Sequence, residues 1–232
     1  MLLDEPGQVK RRYDDACGTA HGLELVGDRW ALLVLRELML GPRRFSQLKA
    51  DLHSISANVL TQRLQDLEAR GLLTHQLLAP PASVPVYELT PWGYEAEPIV
   101  VALGRWAARS PWHDPLLPIS AVSLMLSLKA TFDPPRAGGL AAVAAVEVGE
   151  DHFHLTVADA RLSLGRGPAE HPLVTFSGTA TQLVGALHAL VPSTAWGQPG
   201  QAAVGGDQRL ARELTQLFPL PPKAHVPQGD RT

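Results

Sequence analysis

The chain has almost no cysteine. Cys17 is the single one in 232 residues, which excludes an internal disulfide and a thiolate metal cage and fits a reducing compartment. A long apolar run is also missing, for no stretch reaches the roughly 20 residues that cross a bilayer. The N-terminus, MLLDEPGQVKRRYDD, carries acids where a signal peptide needs an apolar segment. These absences point to a soluble, cytoplasmic protein with no membrane partner. Neither sign of charge is in large excess, because 20 Lys and Arg stand against 23 Asp and Glu. Composition by itself therefore gives no hint of nucleic acid.

Catalytic signatures are lacking as well. There is no nucleophile elbow, phosphate loop or HExxH; AGGLAA lies in a turn before a strand without the dinucleotide fingerprint, and LSLGRGP is short and isolated. In HFH, His152 and His154 share a strand face, and His171 is the nearest further histidine in the chain. Without a carboxylate or third histidine at a telling spacing, the pair reads as the solvated side of a strand rather than a metal site. No enzyme activity, no metal and no cofactor are expected.

What is present is a local charge pattern. From Arg29 to Arg70 seven basic residues (Arg29, Arg36, Arg43, Arg44, Lys49, Arg63, Arg70) face four acids (Glu37, Asp51, Asp66, Glu68) inside an otherwise acidic chain. The same stretch reads as helices. GTAHGLELVGDRWALLVLRELMLGP is a short helix, a break near Gly27 and Asp28, and an amphipathic helix ending at Gly41-Pro42. RRFSQLKADL is a third helix. Ser54 or Ser56 then caps a fourth, which runs to Arg70 with Gly71 as its stop. Two apolar-alternating runs, LLTHQLL and VPVYELT, form a hairpin around APPAS, and helical spacing returns from Pro91.

Three of these helices, the hairpin and a flanking helix make a winged helix-turn-helix, in which the helix after the turn enters the DNA major groove. Leu60, Leu64 and Leu67 hold that helix on the core. Asn58, Thr61, Gln62 and Gln65 form an outward row whose amides and hydroxyls can pair with base edges. Ser56, Ala57 and Arg63 complete the expected contact set on this helix, and Arg43 and Arg44 are expected to neutralise phosphates. No Lys or Arg occurs between Arg70 and Arg105, so the wing brings no positive charge and the salt dependence of binding should be shallow.

The run CGTAHGLELVGDRWALLVLRELMLGPRRFSQLKADLHSISANVLTQRLQDLEARGLL, with VYELTPWG after the wing, resembles the HxlR family of bacterial transcription regulators, relatives of the MarR group. The resemblance covers residues 13 to about 110. It implies a homodimer whose two recognition helices read the half-sites of a palindromic double-stranded operator. It also implies a role for Cys17, the position at which some members sense electrophiles or oxidants. That chemistry needs an accessible, stabilised thiolate. Lys10, Arg11 and Arg12 lie close in sequence, but so do Asp14 and Asp15, and a small buried residue packing the first helix is the commoner arrangement.

After the proline-punctuated RSPWHDPLLP, ISAVSLMLSLKATF is an amphipathic or fully buried helix. GLAAVAAVEVGEDHFHLTVADARLSLGRG reads as three consecutive strands, LVTFSG as a fourth, TATQLVGALHALV as a helix, and Asp207 as the cap of a closing helix. Alternation points Phe153, Leu155 and Val157 to one face. A meander sheet covered by helices makes an α+β domain. Its apolar inventory either closes as a core or lines a cavity, and periodicity does not separate the two.

This order, with Gly206-Asp207 opening the last helix, is similar to the sterol-carrier-protein fold over residues 119 to about 219. The resemblance implies a tunnel for a hydrophobic small molecule, here lined by Leu124, Leu128, Phe132, Phe153, Leu155, Leu214 and Leu217, with Trp196 at its mouth. Trp92, Trp106 and Trp112 are expected to pack against the partner subunit or the second domain. The expected whole is an α+β chain. Residues 1–112 form the winged helix-turn-helix and dimerisation domain, 113–222 the sterol-carrier-like domain, and 223–232 a disordered tail. The expected function is a DNA-binding regulator modulated by a hydrophobic ligand. The alternative is a lipid-binding or protein-interaction module that uses the winged helix only as a dimer scaffold.

Overall fold

The structure, a computed structural model, describes residues 13–79 and 82–225. The head runs through α1 (Gly18–Val26), α2 (Ala31–Leu38), α3 (Phe45–Asp51) and α4 (Ala57–Ala69). It continues with the hairpin β1 (Leu73–Leu77) and β2 (Pro85–Leu89), then α5 (Pro91–Tyr94) and α6 (Glu97–Ala108). Local chemistry sets the boundaries. Gly71 at φ +75° ends α4 in the left-handed region that glycine tolerates. Thr90 opens α5, its hydroxyl accepting the Gly93 N–H at 3.0 Å. Leu35, Leu38, Leu48, Leu60, Leu64 and Leu67 are buried together as the centre of the head core.

The second half is α7 (Ala121–Thr131), α8 (Pro134–Ala137), β3 (Ala142–Val148), β4 (Asp151–Ala158), β5 (Arg161–Arg166), β6 (Val174–Gly178), α9 (Ala180–Leu187), β7 (Ala203–Gly206) and α10 (Gln208–Thr215). The five strands lie in the order β5-β4-β3-β6-β7. β3 and β6 run parallel, and the other pairs are antiparallel. Strand alternation sends Val146, Phe153, Leu155, Val157, Val174 and Phe176 inward against α7, α9 and α10. Gly206 carries a close approach: its φ is +81°, and a Cβ there would overlap the Leu173 carbonyl oxygen. The next residue, Asp207, accepts the Arg209 and Leu210 N–H groups and starts α10.

The two halves share a helix. Leu124, Met125 and Leu128 of α7 enter the second core, whereas Val122 and Leu126 on its other side enter the head core. That is why ISAVSLMLSLKATF is apolar nearly all round. Polar contacts close the same seam. The Ser120 hydroxyl donates to Glu37 at 2.8 Å, Lys129 pairs with Glu97 at 2.6 Å, and Arg105 donates to the Ala130 carbonyl at 3.0 Å.

The expected disordered tail needs correction at its start. Lys223 Nζ donates to the carbonyls of Ala108, Ser110 and His113 at 2.8–3.1 Å, a cation on the carboxyl end of α6. The remainder of that tail, residues 226–232, lies outside the described residues, as do Lys10, Arg11, Arg12 and the hairpin-tip residues Pro80 and Pro81. No described helix is long and apolar enough to cross a membrane.

Candidate nucleic-acid interface

The helix after the turn is built as an anchored recognition element. Ser56 opens α4, its hydroxyl accepting the Val59 N–H at 3.3 Å, so the side chain expected to touch DNA serves as the N-cap. Leu60, Leu64 and Leu67 are 0–1% exposed and fix the inner face. On the outer side Ala57, Asn58, Thr61, Gln62 and Gln65 are all exposed. Thr61 donates back to the Ala57 carbonyl at 3.0 Å, and Gln62 Nε2 donates to Asp66 at 2.9 Å. Asn58 and Gln65 have no hydrogen-bond partner among the described residues, so their amides are open to a ligand. Such a row is suited to hydrogen bonding with base edges.

Arg63 does not join that row. It pairs with Asp28 and with Asp66, and only 17% of its side chain is exposed. It braces α4 against the break between α1 and α2.

Arg43 is the larger correction. It is 5% exposed and ion-paired with Asp51 of α3 and with Asp151 of the second domain, the latter at 3.2 Å. Burial opposes its charge, but Asp51 and Asp151 outweigh that cost and hold the guanidinium protonated. Arg166 shares Asp151, donates to the Leu40 carbonyl at 3.3 Å and lies over the Phe153 ring. The reason Arg43 turns inward is local. Arg43 and Tyr87 exchange backbone hydrogen bonds at 2.9 and 2.8 Å, so this point of the chain is extended and successive side chains point to opposite sides. Arg44, the next residue, is accordingly exposed, at the N-cap of α3.

The sequence offered no sign of this network, because Arg43 and Asp151 are 108 residues apart. It also missed a wing feature: His75 stacks on Tyr87 at 4.5 Å, giving a hairpin without Lys or Arg a flat polar surface. The two runs expected to form a hairpin do pair antiparallel, Leu73 opposite Leu89 through Leu77 opposite Pro85.

Cys17 is exposed, contrary to the expected buried packing role. It caps α1, and the N–H groups of Ala20 and Thr19 draw its thiol below the usual value.

All eight residues expected around a ligand tunnel pack into or against one apolar cluster, Phe132 and Trp196 at its margin. Leu124, Leu128, Phe153, Leu155, Leu214 and Leu217 are at most 2% exposed, so they act as core side chains. Trp196 does line a surface cleft of about 350 Å3, beside Pro192, Arg212 and Gln216, with its ring edge-on to Phe176 at 6.3 Å. His152 is exposed, while the half-buried His154 ring lies over Gly165, where a Cβ would strike it. Trp92, Trp106 and Trp112 are 47%, 72% and 80% exposed, so none is buried by the second domain.

The HxlR-like helix-turn-helix family matches residues 25–114. Among curated relatives, the uncharacterized HTH-type transcriptional regulators YvaP and YkvN of Bacillus subtilis (strain 168) are 33% and 35% identical. Their alignments cover 40% and 39% of this chain and 84% and 77% of theirs. The chain spans 66% of a third such regulator, sll1512 of Synechocystis sp., at 36% identity over 38% of this chain. A solved structure, the redox regulator HypR in its oxidized form, is 27% identical with a TM-score of 0.37, covering 39% of this chain and 94% of that one. The family match spans α2 to α6, the anchored α4 among them, and with relatives of 33% and 35% identity covered over most of their length the chain belongs to the HxlR-like helix-turn-helix family of transcriptional regulators.

Proposed function

We propose that the protein is a homodimeric, DNA-binding regulator that reads a palindromic operator by inserting α4 into the major groove of each half-site. The carrying observation is the exposed row Asn58, Thr61, Gln62 and Gln65 on a helix whose opposite face is locked by buried leucines. Arg44 meets the phosphate backbone. Dimerisation uses α6, whose outer side leaves Ile99, Leu103 and Trp106 44–72% exposed, an apolar strip suited to a second copy. Cys17, exposed and with its thiol drawn below the ordinary value, is the reactive position of the head. A cytoplasmic location accords with this role.

The second domain is proposed to be sterol-carrier-like and to receive a hydrophobic small molecule. Support comes from its order of helix, three-stranded meander, parallel fourth strand, helix and fifth strand, and from Gly206-Asp207 at the start of α10. A ligand that favours one arrangement of the dimer shifts operator affinity by its differential binding, typically about 1–3 kcal/mol.

The scaffold reading gains from one observation: Arg43 and Arg63 are committed to carboxylates, which thins the positive charge of the DNA face.

Fluorescence anisotropy on duplexes from the protein's own upstream region, against scrambled duplex at fixed salt, separates the two readings. Gln62→Ala should lose about 5- to 150-fold of discrimination, the equivalent of one bidentate base contact. Arg44→Ala should weaken every duplex alike. Equal affinity for scrambled DNA, repeated in a random-library selection, would leave only the scaffold.

A further inference from the structure

A groove of about 410 Å3 is lined by α6, α7 and the linker, away from the DNA face. It is bounded by the head, the linker and the second domain together, and its volume falls in the usual range for small-molecule sites. Most of its surface is apolar, supplied by residues such as Leu33, Val101, Leu126, Ala130 and Val184.

Its polar groups include His113, Ser123 and Thr131. Ser127 and His188 lie within the groove lining, their Oγ and Nε2 3.0 Å apart. The other ring nitrogen of His188 meets the Phe218 carbonyl at 3.0 Å; a carbonyl only accepts, so Nδ1 carries the proton. Burial disfavours a second proton on this ring, and the histidine therefore adds polarity without charge. Arg105 lines the groove with a fixed guanidinium, donating Nη1 to the Ala130 carbonyl while meeting no carboxylate partner among the described residues. The other lining arginine, Arg36, is matched by Glu37, and the linker's Asp114 accepts the Leu116 N–H.

We propose that this groove is a small-molecule site of the protein and takes an amphipathic carboxylate. Its alkyl or aryl body lies between α6 and α7, and its carboxylate meets Arg105. An apolar slot with one unmatched cation recognises such an anion and gives a neutral hydrocarbon no orienting contact. The position carries a consequence. Leu103 lines this groove and also the outer strip of α6, while α7 packs into both cores. An occupant thus bears on the helix that faces a second copy and on the helix joining the halves. That effect on DNA rests on the regulatory reading above; the binding itself does not.

The test uses the full chain and cis-parinarate, a fluorescent fatty acid, with its methyl ester as the uncharged counterpart. A Cβ at Gly104 meets nothing within 4 Å, so Gly104→Trp fills the groove without a backbone clash, and Gly104→Leu is the milder version. Wild type should bind parinarate saturably, at one site per chain. Gly104→Trp or Gly104→Leu should weaken it at least about tenfold with unchanged melting and unchanged sedimentation. Arg105→Gln should weaken the acid about tenfold, the size of one charge-assisted hydrogen bond, and spare the ester.

Non-saturating binding overturns the proposal, as does wild-type affinity in a filled variant that melts normally. If both Gly104 variants instead turn a dimer into a monomer, the groove seats a second copy and the proposal fails. Equal loss of acid and ester in Arg105→Gln refutes the carboxylate contact. None of these readouts involves DNA, so failure here is distinct from failure of operator binding.

Discussion

Arg43 and Arg44 are adjacent and chemically identical, yet the structure gives them opposite work, and substituting each alone separates the roles. Arg43→Met keeps the apolar stem and removes the charge. Breaking a buried ion pair by removing one partner costs about 3–5 kcal/mol. Here Asp51 and Asp151 retain 19% and 28% side-chain exposure, and Arg166 still pairs with Asp151. Solvent and Arg166 therefore reduce the loss to about 2–3 kcal/mol. For a chain of this size that lowers the melting temperature by roughly 5–10 °C.

Operator binding by the folded fraction should keep its salt slope, because Arg43 touches no phosphate. Arg44→Ala should do the reverse. Melting should stay within about 1 °C, and the slope of log K against log salt should flatten by about 0.9 per protomer. Thermal denaturation followed by circular dichroism, and anisotropy across a salt series, read the two quantities independently. A flattened slope with unchanged melting in Arg43→Met would refute the buried network and restore a phosphate contact. The wild-type slope should itself be shallow. From Arg29 to Arg70, Arg36, Arg43 and Arg63 pair with carboxylates and Arg70 donates to the Leu25 carbonyl, which leaves Arg29, Arg44 and Lys49 for DNA.

Three further outcomes follow from the geometry. Burial lowers the His188 pKa below its ordinary 6.5. Between those values the unfolded chain binds more protons, so this contribution to stability is whole above pH 6.5 and is lost as pH falls through the folded value. Urea denaturation at pH 7.5 and at about pH 5.5 should show a smaller difference for His188→Gln than for wild type; equal differences would mean the ring is not desolvated. Glu37, raised by burial, loses stability as pH rises instead, which is why the comparison is with the variant rather than with a flat line. Cys17 should react with iodoacetamide with a pH midpoint below the ordinary thiol value of 9.0, and a midpoint at or above it would remove the helix N–H groups as its cause. Gly206→Ala should destabilise by about 1–3 kcal/mol through its positive φ and the Leu173 carbonyl, and a urea midpoint equal to wild type would show that the strand end relaxes freely.

Much of the fold is legible without coordinates because its signals are local. The leucine spacing of α4, the break at Gly27 and Asp28, and the alternation through Phe153, Leu155 and Val157 each report a periodicity that the backbone must obey. The recognition row is legible for the same reason: once Leu60, Leu64 and Leu67 are inside, Asn58, Thr61, Gln62 and Gln65 have only the outside left. The ligand residues were not legible. An inward side chain looks the same whether it closes a core or lines a tunnel, and Leu124, Phe153 and Leu214 close one.

What the amino-acid order determined alone is thus the set of elements, their faces and the family. Tertiary structure decided which partners those faces met. The apolar surround of α7 became a helix shared by two cores, because residues far apart in the chain were brought to both of its sides. Arg43 became an interdomain tie, because an extended bridge to Tyr87 turned it toward Asp151, 108 residues away, while leaving Arg44 in solvent. Periodicity constrains direction within an element; only the packing of distant elements determines what lies in that direction.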